Sequence, residues 1–466
     1  MSDWRDDWLD LTDAATLVAR REVKAIELVE FMLARVARLN PELNAYVTVL
    51  GAAARAQAME LDAEAAQGHL RGPLHGVTIG VKDLIHVAGV ASTGGSRSLG
   101  GFVASEDAAC VARLRAAGAI ILGKLHTHEL AGGATSENEL YGRACNPWDK
   151  AYIPGGSSGG SGVATAAGLV HAALGTDTGG SVRMPAAFCG VVGFKGTFGR
   201  VSRRGVFSRS WTMDHVGSMA RSVRDAALVY QAMAGHDPGD PYSSARVAPD
   251  VLTGLNGAVA GLRVGVVTGA FFESRLDPQI GAAFEDALGI LANLGMKPTK
   301  VTFDLAAEAH AAGTIITVAE AAAAQDEVMR THPEELGQDI RDQLRMAEFI
   351  TARQYIRALR VRVAVQQELT KIFEDVDVLV TPATAVLPTR HDRPSSESLT
   401  LFARYARPFS MPGLPAISVP AGFSVEGLPI GLQIVGRPFD ESGVLRVAQA
   451  YEQATAWHRR RPGIEI

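Results

Sequence analysis

Two glycine- and serine-rich runs, Pro154-Gly-Gly-Ser-Ser-Gly-Gly-Ser-Gly162 and Gly175-Thr-Asp-Thr-Gly-Gly-Ser-Val-Arg183, are where this sequence concentrates its chemistry. Backbone this rich in glycine serves as a phosphate cradle, a flexible linker, or a loop that approaches a reacting group closely. A phosphate cradle needs a Gly-Lys-Ser/Thr ending, and neither run has a lysine there. Neither run reads Gly-x-Gly-x-x-Gly opening a helix after a strand, so a dinucleotide site is also excluded. The stretch Val163–Leu174 between them is apolar enough to be buried, which a linker is not. The remaining use is N–H groups converging on a developing oxyanion, with a serine at hand as nucleophile.

A serine hydroxyl needs a positioned base at neutral pH. Neither run contains a histidine; His171 and His215 are the nearest. A lysine can replace histidine if burial lowers its pKa enough for the neutral amine to form. Lys82 closes the apolar run Gly76-Val-Thr-Ile-Gly-Val-Lys82, and Lys124 and Lys195 are the other candidates. Spacing leaves the choice open, because a lysine after a buried strand also snorkels to the surface. His126-Thr-His-Glu129 lacks a third ligand and the HExxH spacing of a zinc site, so a local structural role is the simpler reading.

These groups must be held by a scaffold. Val77–Val81 and Ala119–Leu122 are short β-branched runs bounded by glycine, with a helical pattern over Ala108–Ala117 between them. Apolar spacing predicts two helices within Thr12–Leu39, ending before Asn40-Pro41. Strands are expected at Leu262–Val267, Val376–Val380, Ala416–Val419 and Ile430–Val435, and helices at Gln279–Leu294, Arg353–Phe373 and Val444–Ala456. Alternation of this kind implies an α/β fold, a large mixed, mostly parallel sheet covered by helices on both faces. The 466 residues read as one domain: N-terminal helices over 1–70, a catalytic core over 71–234, a mostly helical segment over 235–374 and a sheet-completing part over 375–466. The acidic stretch Glu320–Asp342 reads as a solvated helical face.

Composition narrows the class. With 47% hydrophobic and 20% charged residues the chain can bury a core, and 45 basic against 50 acidic side chains give no case for nucleic-acid or anionic-membrane binding. Three cysteines form neither a disulfide framework nor a metal-ligand pattern. The start, Met1 to Leu9, is acidic and lacks a leader's apolar core, and no apolar stretch approaches the ~18 residues of a membrane span. A cytoplasmic protein acting on a small molecule, without cofactor or metal, is expected, and a homodimer is the expected assembly.

Gly155-Gly-Ser-Ser-Gly-Gly-Ser161, Thr176-Asp-Thr-Gly-Gly-Ser-Val-Arg183, Pro185-Ala-Ala-Phe-Cys-Gly190 and Gly193-Phe-Lys195 together resemble the signature of the amidase signature family. Leu74-His-Gly-Val-Thr-Ile-Gly-Val-Lys-Asp83, Asn146-Pro-Trp-Asp149, Pro412–Pro420 and Gly427–Gly436 are similar to further motifs of that family, in the same order. The resemblance implies Ser181 as nucleophile, Ser157 as bridging serine after a cis Gly156–Ser157 peptide, and Lys82 as base. It further implies an oxyanion hole from the N–H groups of Thr178, Gly179, Gly180 and Ser181, each worth roughly 10²–10³ in rate. On this pattern Ser158 supports the lysine, and Asp177 and Arg183 pair to fix the loop.

The implied reaction is hydrolysis of the C–N bond of a small carboxylic amide through an acyl-enzyme. Met184 stands where relatives taking small acidic substrates carry arginine, which points to a neutral or apolar amide, and Phe207–Met213 is expected to line the acyl pocket with Trp211 as a wall. The alternative is the catalytic A-type subunit of a glutamine-dependent tRNA amidotransferase. Gly199–Asp214 lacks the alanine and paired serines usual before that subunit's aspartate, whereas Tyr355, Arg357 and Arg362 loosely match it. Gly196 replaces the family's usual proline. A catalytically dead scaffold is disfavoured because every triad position is filled.

Overall fold

The computed structural model describes residues 9–393 and 401–464. Met1–Trp8, most of the segment from which the lack of a leader was read, lie outside the described residues.

Thirteen strands are present among them: β1 (Tyr46–Val49), β2 (Thr78–Lys82), β3 (Ile120–Leu125), β4 (Glu137–Asn138), β5 (Gly142–Arg143), β6 (Ala172–Thr176), β7 (Val192–Lys195), β8 (Val216–Ala220), β9 (Arg263–Thr268), β10 (Lys297–Thr302), β11 (Val378–Pro382), β12 (Ala416–Phe423) and β13 (Pro429–Gly436). Eleven join one mixed sheet in the order β1-β3-β2-β6-β8-β7-β12-β13-β11-β9-β10, and β4 and β5 pair separately. β3, β2 and β6 run parallel, as do β11, β9 and β10, with antiparallel ladders linking these two wings.

Helices cover both faces, and the period-two direction of strand side chains shows why. Ile79, Val81, Ile121, Ala172 and Leu174 face one core with the helices Leu11–Ala19, Ala109–Ala116, Val223–Met233 and Glu441–Gln453. Ile120, Leu122 and Ala173 face the other, under the helices Ala25–Leu43, Gly51–Ala66, Gly159–Ala166 and Arg183–Cys189. A sheet buried on both sides reads as continuous apolar runs, and each fully buried Leu or Ile contributes about 1.5–3 kcal/mol. A third core joins the long helices Ala306–Ala324 and Ala352–Asp375 to β9 and β11.

The expected strands and the helices after residue 279 are present to within a few residues, and the segment 235–374 adds β9 and β10 to one edge of the sheet. The second N-terminal helix runs on to Leu43 instead of stopping before Asn40-Pro41. Pro41 sits in its last turn, and left-handed Asn44 closes the helix by donating to Asn40 O at 2.8 Å. β6 and β8 were not foreseen: both are rich in alanine, glycine and serine, and burial between neighbours, not β-branching, makes them strands.

Candidate active site

Lys82 is the last residue of β2, so its amine emerges at the carboxyl end of a parallel pair with β6. It is 0% exposed. Its Nζ donates to Ser157 Oγ at 2.7 Å, Thr176 Oγ1 at 2.8 Å and Ser158 Oγ at 3.0 Å, all neutral hydroxyls. Burial pushes the amine down to about 7, against a weaker upward pull from the more distant Asp214 and Asp177. The other two lysines are also buried but differently employed. Lys124 pairs with Asp83 at 3.1 Å and donates to Ser92 Oγ at 2.6 Å. Lys195, brought to about 7 by burial, faces Leu414 O and His215.

The Gly156–Ser157 peptide is cis. Ser157 O is held by His128 N at 3.0 Å and Thr127 Oγ1 at 3.2 Å, which fixes the hydroxyl over Lys82. Ser158 locks the two glycine-rich loops together. Its Oγ donates to Thr176 O and accepts from Thr176 N, both at 3.2 Å, while its own N–H donates to Ser181 O at 3.3 Å. Gly175 has to be glycine here, since a Cβ on it would lie 2.8 Å from Ser158 Oγ.

Ser181 stands on the turn between β6 and the helix Arg183–Cys189. Asp177 organises that turn: its carboxylate accepts from Gly180 N at 2.8 Å, Val182 N at 3.3 Å, and Arg183 Nη2 and Nε at 2.9 and 3.0 Å. Burial alone would raise the Asp177 carboxyl, but the Arg183 charge and its hydrogen bonds hold it well below the ordinary range. Arg183 also donates to Gln433 Oε1 at 2.6 Å and Ser410 Oγ at 2.5 Å, tying the turn to β13 and to the helix Arg407–Ser410. Beside the turn, Thr178 Oγ1 donates to Asp214 Oδ1 at 2.6 Å.

Ser181, Thr178, Gly179 and Gly156 open onto a cavity of about 950 Å³. Its far wall is the helix Gln338–Met346, whose Ile340 and Leu344 pack inward with Leu130, Ala321 and Leu336. Gln338, Asp339, Asp342, Gln343 and Met346 of that helix line the cavity. The arrangement combines a serine on a cavity-lining turn, a buried amine set on the hydroxyls of the neighbouring glycine-rich loop, and free space over the turn, features that suit acyl transfer.

The model of the family described as Amidase matches residues 27–445. The chain belongs to the amidase signature family. It is 38% identical to the A-type subunit of the Glutamyl-tRNA(Gln) amidotransferase of Roseiflexus castenholzii, covering 98% of each chain. Among solved structures, a chain of a vestigial protein complex bearing on the evolutionary origins of an s-triazine catabolic enzyme superposes with a TM-score of 0.91 at 34% identity, covering 96% of this chain and 98% of that one. 6-Aminohexanoate cyclic dimer hydrolase, complexed with its substrate, gives 0.88 at 31%, covering 98% and 99%.

Within this amidase fold, the expected residues are not all placed as anticipated. Lys82, Ser157 and Ser158 meet, the Asp177–Arg183 pair forms, and Met184 lines the cavity. Gly180 leaves the expected donor set because its N–H is spent on Asp177 Oδ1, and Thr178, Gly179 and Ser181 remain as candidates. Trp211 is no wall of this cavity. It lines a separate hollow with Arg203, Arg204 and Tyr242, and from Phe207–Met213 it is Arg209 that faces the Ser181 cavity.

The acidic stretch is also more than a solvated face. Glu320 is buried and accepts from Ser210 Oγ, Thr212 Oγ1 and Tyr355 OH, and Asp339 accepts or shares a proton with His128 Nε2 at 2.8 Å. His126 meets Gly142 O at 3.1 Å, and Glu129 accepts from Ser96 Oγ and Gly337 N. Sequence reasoning missed Thr176 and Arg407 as site residues and reached Arg209 only within the stretch Phe207–Met213. Thr176 carried a signal: a hydroxyl at the end of the strand that leads into the Ser181 turn.

Proposed function

We propose that the protein hydrolyses the C–N bond of a small carboxylic amide through an acyl-enzyme on Ser181. The observation that carries this reading is a lysine amine with no exposure, set on neutral hydroxyls and brought to about 7 by burial, so that the free base is populated at neutral pH. Lys82 takes the proton of Ser157 as Ser157 takes that of Ser181, and Ser181 Oγ attacks the carbonyl carbon. The oxyanion is met by N–H groups of Thr178, Gly179 and Ser181. When the intermediate collapses, the C–N bond breaks and the relay returns a proton to the departing nitrogen. Water then attacks the ester over the same relay, releases the acid and restores Ser181. The reactants are an amide and water, and no cofactor enters.

One observation favours a second reading, release of ammonia from glutamine for transfer on a partner protein: the 38% identity to an A-type amidotransferase subunit over nearly the whole chain. Tyr355 and Arg362 also lie together, on Glu320 and Thr212 respectively. Assay of the purified chain alone on a panel of primary amides, anilides, carbamates and hydrazides decides between them. Turnover without added RNA or protein is expected; turnover confined to glutamine and dependent on tRNA and partner proteins would replace the hydrolase reading.

A further inference from the structure

Two arginines that no motif marked face the cavity over Ser181. Arg209 comes from the loop before β8 and Arg407 opens the short helix Arg407–Ser410. Arg209 is buried, and the Nε of Arg407 is enclosed without a hydrogen-bond partner. That Nε lies against the nucleophile's turn: a Cβ on Gly179 would be 2.9 Å from it.

The donors these guanidinium groups do spend on side chains go to neutral acceptors. Arg407 Nη1 donates to Thr314 Oγ1 at 2.8 Å, and Arg209 Nη2 to Gln343 Oε1 at 2.8 Å. Neither forms an ion pair with a carboxylate among the described residues. Burial lowers each to about 10; Arg407 is disfavoured further by Arg209, while Asp214 and Asp339 partly offset the shift at Arg209.

Acidic groups line the same cavity, but each is already engaged. Asp339 meets His128, Glu129 accepts from Ser96 and Gly337 N, and Glu137 meets His391 Nδ1 at 2.8 Å. Glu139 pairs with Arg97 and Asp342 with Arg345. Arg407 therefore presents an unpartnered Nε beside the Ser181 turn, and Arg209 faces the same cavity from Gln343 on its far wall with no ion pair of its own among the described residues; burying a charge without a partner is costly.

We infer that Arg209 and Arg407 form an anion subsite that binds a carboxylate of the substrate, so that the amide cleaved is one carrying a free carboxylate close to the scissile carbonyl. The inference rests on the hydrolase reading of Ser181. It replaces the neutral substrate suggested by Met184, which told only that one family position is not arginine. A guanidinium suits this task because its planar fork meets a carboxylate with two parallel hydrogen bonds.

The test uses the purified full chain. Ammonia release from succinamate and glutaramate is compared with that from butyramide and valeramide, matched in length, and the Ser181→Ala variant is titrated calorimetrically with succinate and glutarate. The carboxylate-bearing amides should be preferred by at least about tenfold in kcat/KM, the scale of a charged hydrogen bond. Arg407→Gln and Arg209→Gln should each pull that preference toward one through a raised KM, and Arg407→Lys should restore part of it. Ser181→Ala should bind the dicarboxylates and lose them when Arg407→Gln is added. Hydrolysis of all four amides without preference leaves the hydrolase reading standing and overturns the subsite. Dicarboxylate binding with no turnover of any amide does the reverse, and no binding with no preference overturns the subsite even if a variant fails to fold.

Discussion

Asp177 and Arg183 face each other with both side chains fully out of solvent, Nη2 to Oδ1 at 2.9 Å and Nε to Oδ2 at 3.0 Å, within the turn that carries Ser181. The pair also orders the backbone, since the same carboxylate accepts from Gly180 N and Val182 N. A buried pair broken on one side leaves an uncompensated charge, so Arg183→Ala should cost about 3–5 kcal/mol in urea unfolding. Burial opposes the ionised Asp177 and Arg183 outweighs it, so the folded carboxyl lies below its ordinary 3.8. Its contribution is therefore complete above that pH and is lost as the pH falls through the lower folded value.

Lys82→Met should lower kcat by about 10²–10⁴, the range of a general base, while far-UV circular dichroism stays native. The side chain fits this test because it anchors no charge in the fold: its three partners are hydroxyls. Activity retained within a factor of two would remove Lys82 from the relay.

The neutral amine sets the sign of the pH dependence. With burial bringing Lys82 to about 7 from 10.5, kcat/KM should rise with pH through an apparent pKa near 7 and level off above it. The folded state binds fewer protons than the unfolded one between about 7 and 10.5. Stability relative to Lys82→Met should therefore increase with pH across that window. A profile flat from pH 6 to 9 would contradict the assignment.

Gly180 has φ +127°, and a Cβ there would meet Ala406 Cβ at 2.6 Å. Gly180→Ala should destabilise the chain by about 1–3 kcal/mol through backbone strain and the forced shift of the Ser181 turn, and lower kcat by at least about tenfold. Thermal unfolding and steady-state kinetics on one preparation measure both effects.

What the sequence made readable follows from how local each signal is. Lys82, Ser157 and Ser181 lie in contiguous motifs whose glycines mark close backbone approach, and the β-branched strands announce themselves by composition. β10 reads Lys-Pro-Thr-Lys-Val-Thr, a partly exposed edge with no apolar run to notice, and pairs in parallel with β9. Arg407 was invisible because an arginine in a polar stretch is ordinarily solvated, and Arg209 was legible only as part of Phe207–Met213; the packing of distant segments brings both to the cavity that Ser181 lines. Trp211 misled for the same reason in reverse: an aromatic near the site in sequence sits on another hollow in space.

The central claim, a serine nucleophile driven by a buried neutral lysine, is tested most directly by covalent trapping. The intact chain is treated with a phenylmethanesulfonyl fluoride-type reagent, and the added mass is mapped by peptide and timed against pH. The account predicts one adduct, on Ser181, formed at a rate that rises with an apparent pKa near 7 and is absent in Ser181→Ala and strongly slowed in Lys82→Met. An adduct on another residue, or one on Ser181 whose rate is unchanged in Lys82→Met, would contradict it.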